Sequence, residues 1–214
     1  MGRIFYVSSM HGDDTNSGQT PEDAFRSLRK INQLEIQPGD QIFLERGSVF
    51  IGEYLHLYAG GTKEAPVVVD AYGEGALPRI EADGNGIWYQ NYGGHLDNVV
   101  HTWKGYLSSA VLLYDAEYIS IRNLEITNNP CIKNERLNQA DRMNRTGVSV
   151  IAQNHGTLHQ IELDHLYIHD VEGNIYDKHL NNGGIYMSVS RPDDEEKTGI
   201  ARYDGIHIHH CKVE

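Results

Sequence analysis

The chain reads as all-β: a parallel β-helix, a solenoid of short strands, with one capping helix near its amino-terminal end. Three observations carry that reading. A two-strand motif, "YISIRNLEITN" at 118–128, returns as "QIELDHLYI" at 160–168 and "GIHIHHCKV" at 205–213. A different strand motif lies between its copies, and a single helical stripe stands near the start. Alternation of apolar and polar residues with period two marks strands, and self-similarity at a period of this size marks a repeat architecture rather than one globular core.

Residues 1–50 read as the cap and the first coil strand. After the polar run "GDDTNSG", Thr20, Pro21 and Asp23 supply an N-cap, a proline at the first helical position and an acidic first turn. A helix is therefore predicted over 21–34, with Phe25, Leu28, Ile31 and Leu34 as one apolar stripe. Open solenoid ends expose core, and this stripe is the lid that covers one of them. "PGDQIFLERG" then turns into the first strand.

Residues 51–214 read as the coils of the same elongated domain. Laid over one another, the copies of the first motif place Ile119, Ile161 and Ile206 in one column and Ile121, Leu163 and Ile208 in the next. Leu124, Leu166 and Cys211 make a third column, and Ile126, Ile168 and Val213 a fourth. Between them, "SSAVLL", "TGVSVI" and "GGIYMS" align Val111, Val148 and Ile185, then Leu113, Val150 and Met187. Each repeat holds one strand of the second type, a loop, and two short strands meeting at a bend. Three strands per turn describe a parallel β-helix.

The bend falls at Asn123, His165 and His210. Asn tolerates left-handed backbone angles and offers a side-chain hydrogen bond, and His is among the next best. This column reads as a structural ladder in preference to a set of metal ligands. The outward His207 and His209, with His169 one coil earlier, read as surface histidines, so no metal site is assigned.

Composition limits the partners. The net charge of −12 argues against nucleic acid and anionic membranes, and no apolar run approaches the roughly 18 residues of a membrane span. "MGRIFYVSS" lacks the pattern of a secretory signal, which points to a cytoplasmic protein unless a leader has been removed. Cys211 lies in a core column and Cys131 in a loop about two coils away, so a disulfide is not expected. Asp14-x-Asn16-x-Gly18 resembles part of a calcium loop but lacks the distal bidentate Glu, and no cofactor is otherwise implied.

"YVSSMHGDDTNSGQTPEDAFRSL", "IQPGDQIFLERGSVF" and "APVVVDAYGEGALPRI" together resemble the pectate-lyase-like, right-handed parallel β-helix proteins of bacteria. Among these the resemblance is closest to carbohydrate-active enzymes near glycoside hydrolase family 141, which act on xylans and fucosides. It implies a right-handed coil and a glycoside hydrolase acting on neutral plant or host oligosaccharides. It places the family's catalytic carboxylates on later coils, and no motif here matches them. Because "CKVE" ends inside a strand, the chain is expected to be an amino-terminal fragment that self-associates through its last coil.

Glycoside hydrolysis needs two carboxyl groups, about 5–5.5 Å apart for retention or 6.5–9.5 Å for inversion. The long loops 128–146 and 170–183 are where such groups are expected. Asp170, Glu172 and Asp177 are the candidate catalytic acids, and Tyr186, His179, Lys178 and Arg145 the candidate substrate-binding residues, Tyr186 as an outward ring to stack on a sugar. A polysaccharide lyase is the alternative enzyme, with Arg136, Arg142, Arg145, Lys178 and His179 to neutralise a uronate and abstract its proton. A non-catalytic carbohydrate-binding or surface solenoid is the alternative outside enzymes.

Overall fold

A computed structural model describes residues 2–90, 105–129, 143–173 and 181–214. These residues are all-β apart from two short helices and a 3-10 turn, and the strands form three sheets. The first sheet carries β1 (Ile4–Val7), β2 (Gln41–Glu45), β5 (Val67–Tyr72), β9 (Ile119–Arg122), β12 (Thr157–Asp164) and β15 (Arg202–His209), in that order. In the second, β3 (Val49–Ile51), β6 (Arg79–Glu81), β10 (Glu125–Asn128), β13 (Tyr167–Val171) and β16 (Lys212–Val213) follow one another. The third holds β4 (Leu55–Leu57), β8 (Tyr106–Tyr114), β11 (Asn144–Ala152) and β14 (Gly183–Val189).

Pairing within these three runs is parallel throughout, and the chain visits the sheets in rotation, so the arrangement is β-helix-like. One short strand departs from it: β7 (Ile87–Tyr89) lies antiparallel against β8.

The register reproduces the columns read from the sequence. Ile119 pairs with Ile161 and Ile161 with Ile206, while Ile126 pairs with Ile168 and Ile168 with Val213. Val111 faces Val148, which faces Ile185. Inward residues of consecutive strands stack into one continuous core, and full burial of each Ile, Leu or Val contributes about 1.5–3 kcal/mol. Gly147 permits close packing at the junction of the second and third sheets. A Cβ there would stand 2.5 Å from Ile168 Cγ2 and 2.7 Å from the Gly184 carbonyl oxygen.

The bend residues adopt the conformation expected of them: φ is 53° at Asn123, 50° at His165 and 53° at His210. Each is the first of two residues that turn the chain from a strand of the first sheet into one of the second. Along the last strands the same columns lose their cover. Ile206, Ile208 and Val213 are 36%, 45% and 51% exposed, whereas Ile161, Leu163 and Ile168 are fully buried. Cys211 is half-buried and free, with its thiol on the Leu163 and His209 carbonyls. Cys131 lies outside the described residues.

The helix expected over 21–34 is broken. A 3-10 turn spans Pro21–Asp23 and α1 only Leu28–Asn32. Between them Phe25 is extended and bridges to Val7: its N–H donates to the Tyr6 carbonyl and its own carbonyl accepts from Ser8 N–H. Phe25 serves the sheet, and the helix restarts after it. Leu28 and Ile31 of α1 are buried, as a lid requires. Asp14 is occupied by this joint, accepting from Arg26 N–H, Ser27 N–H and the Ser27 hydroxyl, while Asn16 donates to the Ala24 carbonyl. The partial calcium motif therefore ties the cap together. A second short helix, α2 (Glu195–Thr198), is capped by Asp194. No helix among the described residues is long and apolar enough to cross a membrane.

Candidate functional site

The outer face of the third sheet is the chemically distinctive surface. All nine residues of β11 are buried, and so are positions 107–113 of β8. A strand pointing half its side chains outward is buried throughout only when something covers that side. Part of the cover is Trp88 on β7, which packs with Leu107, Leu112 and Ile151 and is joined by the half-buried Tyr114 and Tyr186.

Polar groups under this cover are paired with one another, as burial demands. Trp88 Nε1 donates to Ser109 Oγ at 2.8 Å. The hydroxyls of Ser109, Thr146 and Ser149 form a triangle with edges of 2.7, 2.7 and 2.9 Å. Gln90 is fully buried; its amide donates to Ser188 Oγ and Ser190 Oγ and its carbonyl accepts from Tyr186 OH at 3.2 Å. His56 Nε2 lies 2.9 Å from the Ser109 carbonyl oxygen, and burial pushes its pKa down to about 4. The ring is neutral near pH 7 and serves as a donor. Asn144 breaks the pattern: it is fully buried and neither side-chain amide atom has a hydrogen-bond partner.

Aromatic rings continue along the wall. Tyr114 packs edge-on against Trp88 at 6.0 Å, and exposed Tyr58 stands 6.0 Å from Tyr114. Exposed Tyr89 and Tyr106 meet edge-to-face at 5.0 Å. Burial raises the Tyr114 hydroxyl to about 12, so it stays protonated and donates to Gln153 Oε1. Rings with neutral hydroxyl and amide groups suit a surface that meets uncharged polyols.

The residues singled out from the sequence are distributed as follows. Tyr186 lies in this wall, outward as its alternation with Ile185 and Met187 requires. Arg145 is buried in β11, with Nη1 donating to the Glu172 carbonyl at 3.1 Å and its backbone N–H to Asn182 Oδ1. Glu172 has an exposed side chain just past β13. Asp170 is placed elsewhere, at a bulge of the second sheet with φ 49°. Its carboxylate lies 2.8 Å from His169 Nδ1, and Glu125 lies 3.1 Å from Nε2 of the same ring. Burial disfavours the charged imidazole, yet the two carboxylates raise its pKa. Asp170 thus stands on the second sheet and Tyr186 on the third. Asp177, Lys178 and His179 lie outside the described residues, as do Glu135, Arg136, Asp141 and Arg142. The first long loop ends at residue 143 rather than 146, because β11 already begins at Asn144.

Sequence reasoning missed Trp88, Gln90, His56 and the hydroxyl triangle. A signal for them exists. The outward positions of β8 and β11 carry Ser, Thr and aliphatic residues, whereas those of β9, β12 and β15 carry Arg, Glu, Asp and His.

No family model matches the chain. It is 37% identical over 245 aligned positions to a lacto-N-biosidase of Bifidobacterium longum subsp. longum, an alignment covering 100% of this chain and 15% of that protein. It is 55% identical to two crystal structures of a GH136 lacto-N-biosidase from Eubacterium ramulus, the selenomethionine derivative and the native protein. Their TM-scores are 0.89 and 0.88, with 98% of this chain and 34% of theirs covered. The chain therefore spans about a third of the solved relatives' length and less of the curated one.

Proposed function

We propose that this chain is a section of a family 136 glycoside hydrolase that releases lacto-N-biose from host oligosaccharides. The observation that carries the reading is the 55% identity, at a TM-score of 0.89, to a GH136 lacto-N-biosidase over 98% of the chain. This reading replaces family 141 and its xylan- or fucoside-type substrates, while a neutral host oligosaccharide remains the substrate class. The strand rotation is read as one right-handed parallel β-helix domain running through residues 1–214. The third sheet supports the reading, because its buried, mutually bonded hydroxyls and Gln90 back the half-buried Tyr186 and the exposed Tyr58, Tyr89 and Tyr106, rings of the kind a neutral disaccharide meets.

Within this section Tyr186 and Arg145 are assigned to the wall that supports the sugar. Glu172, exposed beside Arg145, is the assigned acidic contact, and Asp170 holds His169. The test uses the complete protein to which these coils belong. Incubated with an aryl lacto-N-bioside, it is expected to release lacto-N-biose, and Tyr186→Ala is expected to raise KM more than it lowers kcat. No release from the lacto-N-bioside, with turnover of an aryl xyloside or fucoside instead, overturns the substrate. Unchanged kinetics in Tyr186→Ala overturns the placement of the wall.

A further inference from the structure

A different corner of the molecule gathers histidines. Asp164 ends β12 and His209 ends β15, and the two residues are paired in register. The bend residues His165 and His210 follow them on consecutive coils, rings stacked at 4.5 Å. Asp164 Oδ1 lies 2.6 Å from His165 Nδ1, 2.9 Å from His209 Nδ1 and 3.1 Å from His210 Nδ1. The nitrogens of His209 and His210 are themselves 2.9 Å apart.

Hydrogen bonds alone cannot satisfy that arrangement. A ring nitrogen presents either one N–H or one lone pair, and an ionised carboxylate oxygen only accepts. Within the triangle of Asp164 Oδ1, His209 Nδ1 and His210 Nδ1, a single N–H leaves the other nitrogen's lone pair facing the carboxylate. Two N–H groups face each other. A cation among these atoms instead meets three lone pairs, and His165 Nδ1 lies against the same Asp164 oxygen.

The surroundings fit a metal as well. His209 directs its other nitrogen, Nε2, to Glu162 Oε1 at 3.2 Å. Glu162 Oε2 is in turn held by Arg122 Nη2 at 2.7 Å and Ser120 Oγ at 2.5 Å. A carboxylate on the far nitrogen fixes the tautomer and aims the near one, as at metal-binding histidines generally. The left-handed backbone of His165 and His210 fixes where both rings start. One coil earlier the same two places hold Arg122 and Asn123, and Asn123 donates to Asp70, so that corner has no such donors.

We propose that Asp164, His209 and His210, with His165 stacked beside His210, form a site for a divalent transition ion of the zinc type, which clips two consecutive coils together at their shared corner. Two imidazole nitrogens and one carboxylate oxygen, with a fourth place for water, suit tetrahedral zinc, whereas calcium and magnesium prefer all-oxygen sites. The proposal does not depend on the enzymatic reading. It assigns the histidine column a second use beside the bend.

The test is a titration of untagged, chelator-stripped protein with Zn2+ against a chromophoric competitor, with Co2+ as a spectroscopic stand-in. Expected are about one equivalent bound and visible cobalt bands typical of four-coordination. Glu162→Gln should weaken binding about 10–100-fold. Asp164→Asn and His210→Asn should weaken it at least as much; His210→Asn keeps a residue that tolerates the bend, and circular dichroism checks that it folds. His207→Ala, outside the cluster, should bind as the parent does. No binding by the parent protein overturns the proposal, and so does binding that Asp164→Asn and His210→Asn leave unchanged.

Discussion

Strands β11 and β12 follow one another in the chain, and they meet their outer surroundings in opposite ways. β11 is buried at every position, whereas β12 alternates between buried and accessible residues. The outward residues follow suit. Under the cover of the third sheet stand Ser109, Thr146, Ser149 and Ser188, bonded to one another or to Trp88 and Gln90. On the first sheet stand Arg122, Glu162, Asp164 and His209, paired in the open. Polar groups on a covered face must be hydrogen-bonded, as Nη1 of the buried Arg145 also is, because an unpaired buried polar group costs about 1–3 kcal/mol. An open face can carry ions whose pairing contributes little.

That contrast orders the expected effects of substitution. Trp88→Ala strips the cover and the donor to Ser109 and should cost about 3–5 kcal/mol in urea unfolding. A loss below 1 kcal/mol would mean that the face is already open.

His56 sharpens the comparison through pH. Its folded pKa is near 4 against 6.5 for a free imidazole, so below pH 6.5 the unfolded chain binds a proton that the folded chain refuses. The stability from burying the neutral ring is full above pH 6.5 and lost as pH falls toward 4, by about 3 kcal/mol in all. Unfolding at pH 7.5 and 4.5 should show this extra acid loss in the parent protein and not in His56→Gln. Parallel losses in the two proteins would count against a neutral buried ring.

Smaller effects are expected from single polar groups. Ser149→Ala leaves Ser109 and Thr146 bonded to each other, and should cost about 1 kcal/mol. Arg122→Ala, on the open sheet, should cost about 0.5 kcal/mol or less, measured in the same way. Should Arg122 prove the costlier, the division between covered and open faces would fail.

Much of the architecture was legible because side chains in strands alternate with period two. Ile119, Ile161 and Ile206 could be aligned on sight, and the odd residue between paired strands marked the corners. The helix was misplaced because Phe25 satisfies two patterns at once: it falls on the helical stripe, and it is also an apolar residue fit to extend a sheet edge. Only the neighbouring Tyr6 and Ser8 decide between them. The covered wall escaped notice for a related reason. An outward Ser or Thr looks the same in sequence whether it faces water or Trp88, and the three-residue strand bringing Trp88 across is too short for any period to register. The histidine corner was read for its backbone, and what the side chains do together depends on Asp164 and His209 lying in register across two coils.

The two-residue corners that begin at Asn123, His165 and His210 bear on how such a protein can change. In the last three passages a single left-handed residue turns the chain from a strand of the first sheet into one of the second, so this edge is kept short there, whereas residues 73–78 join β5 to β6. In this part of the chain the long connections are instead those into and out of the third sheet: between Asn128 and Asn144, Val171 and Gly183, and Val189 and Arg202. Lineages sharing this scaffold can therefore diversify one flank by lengthening loops while the opposite edge holds the count of coils, and grafted loops are best tolerated on that flank.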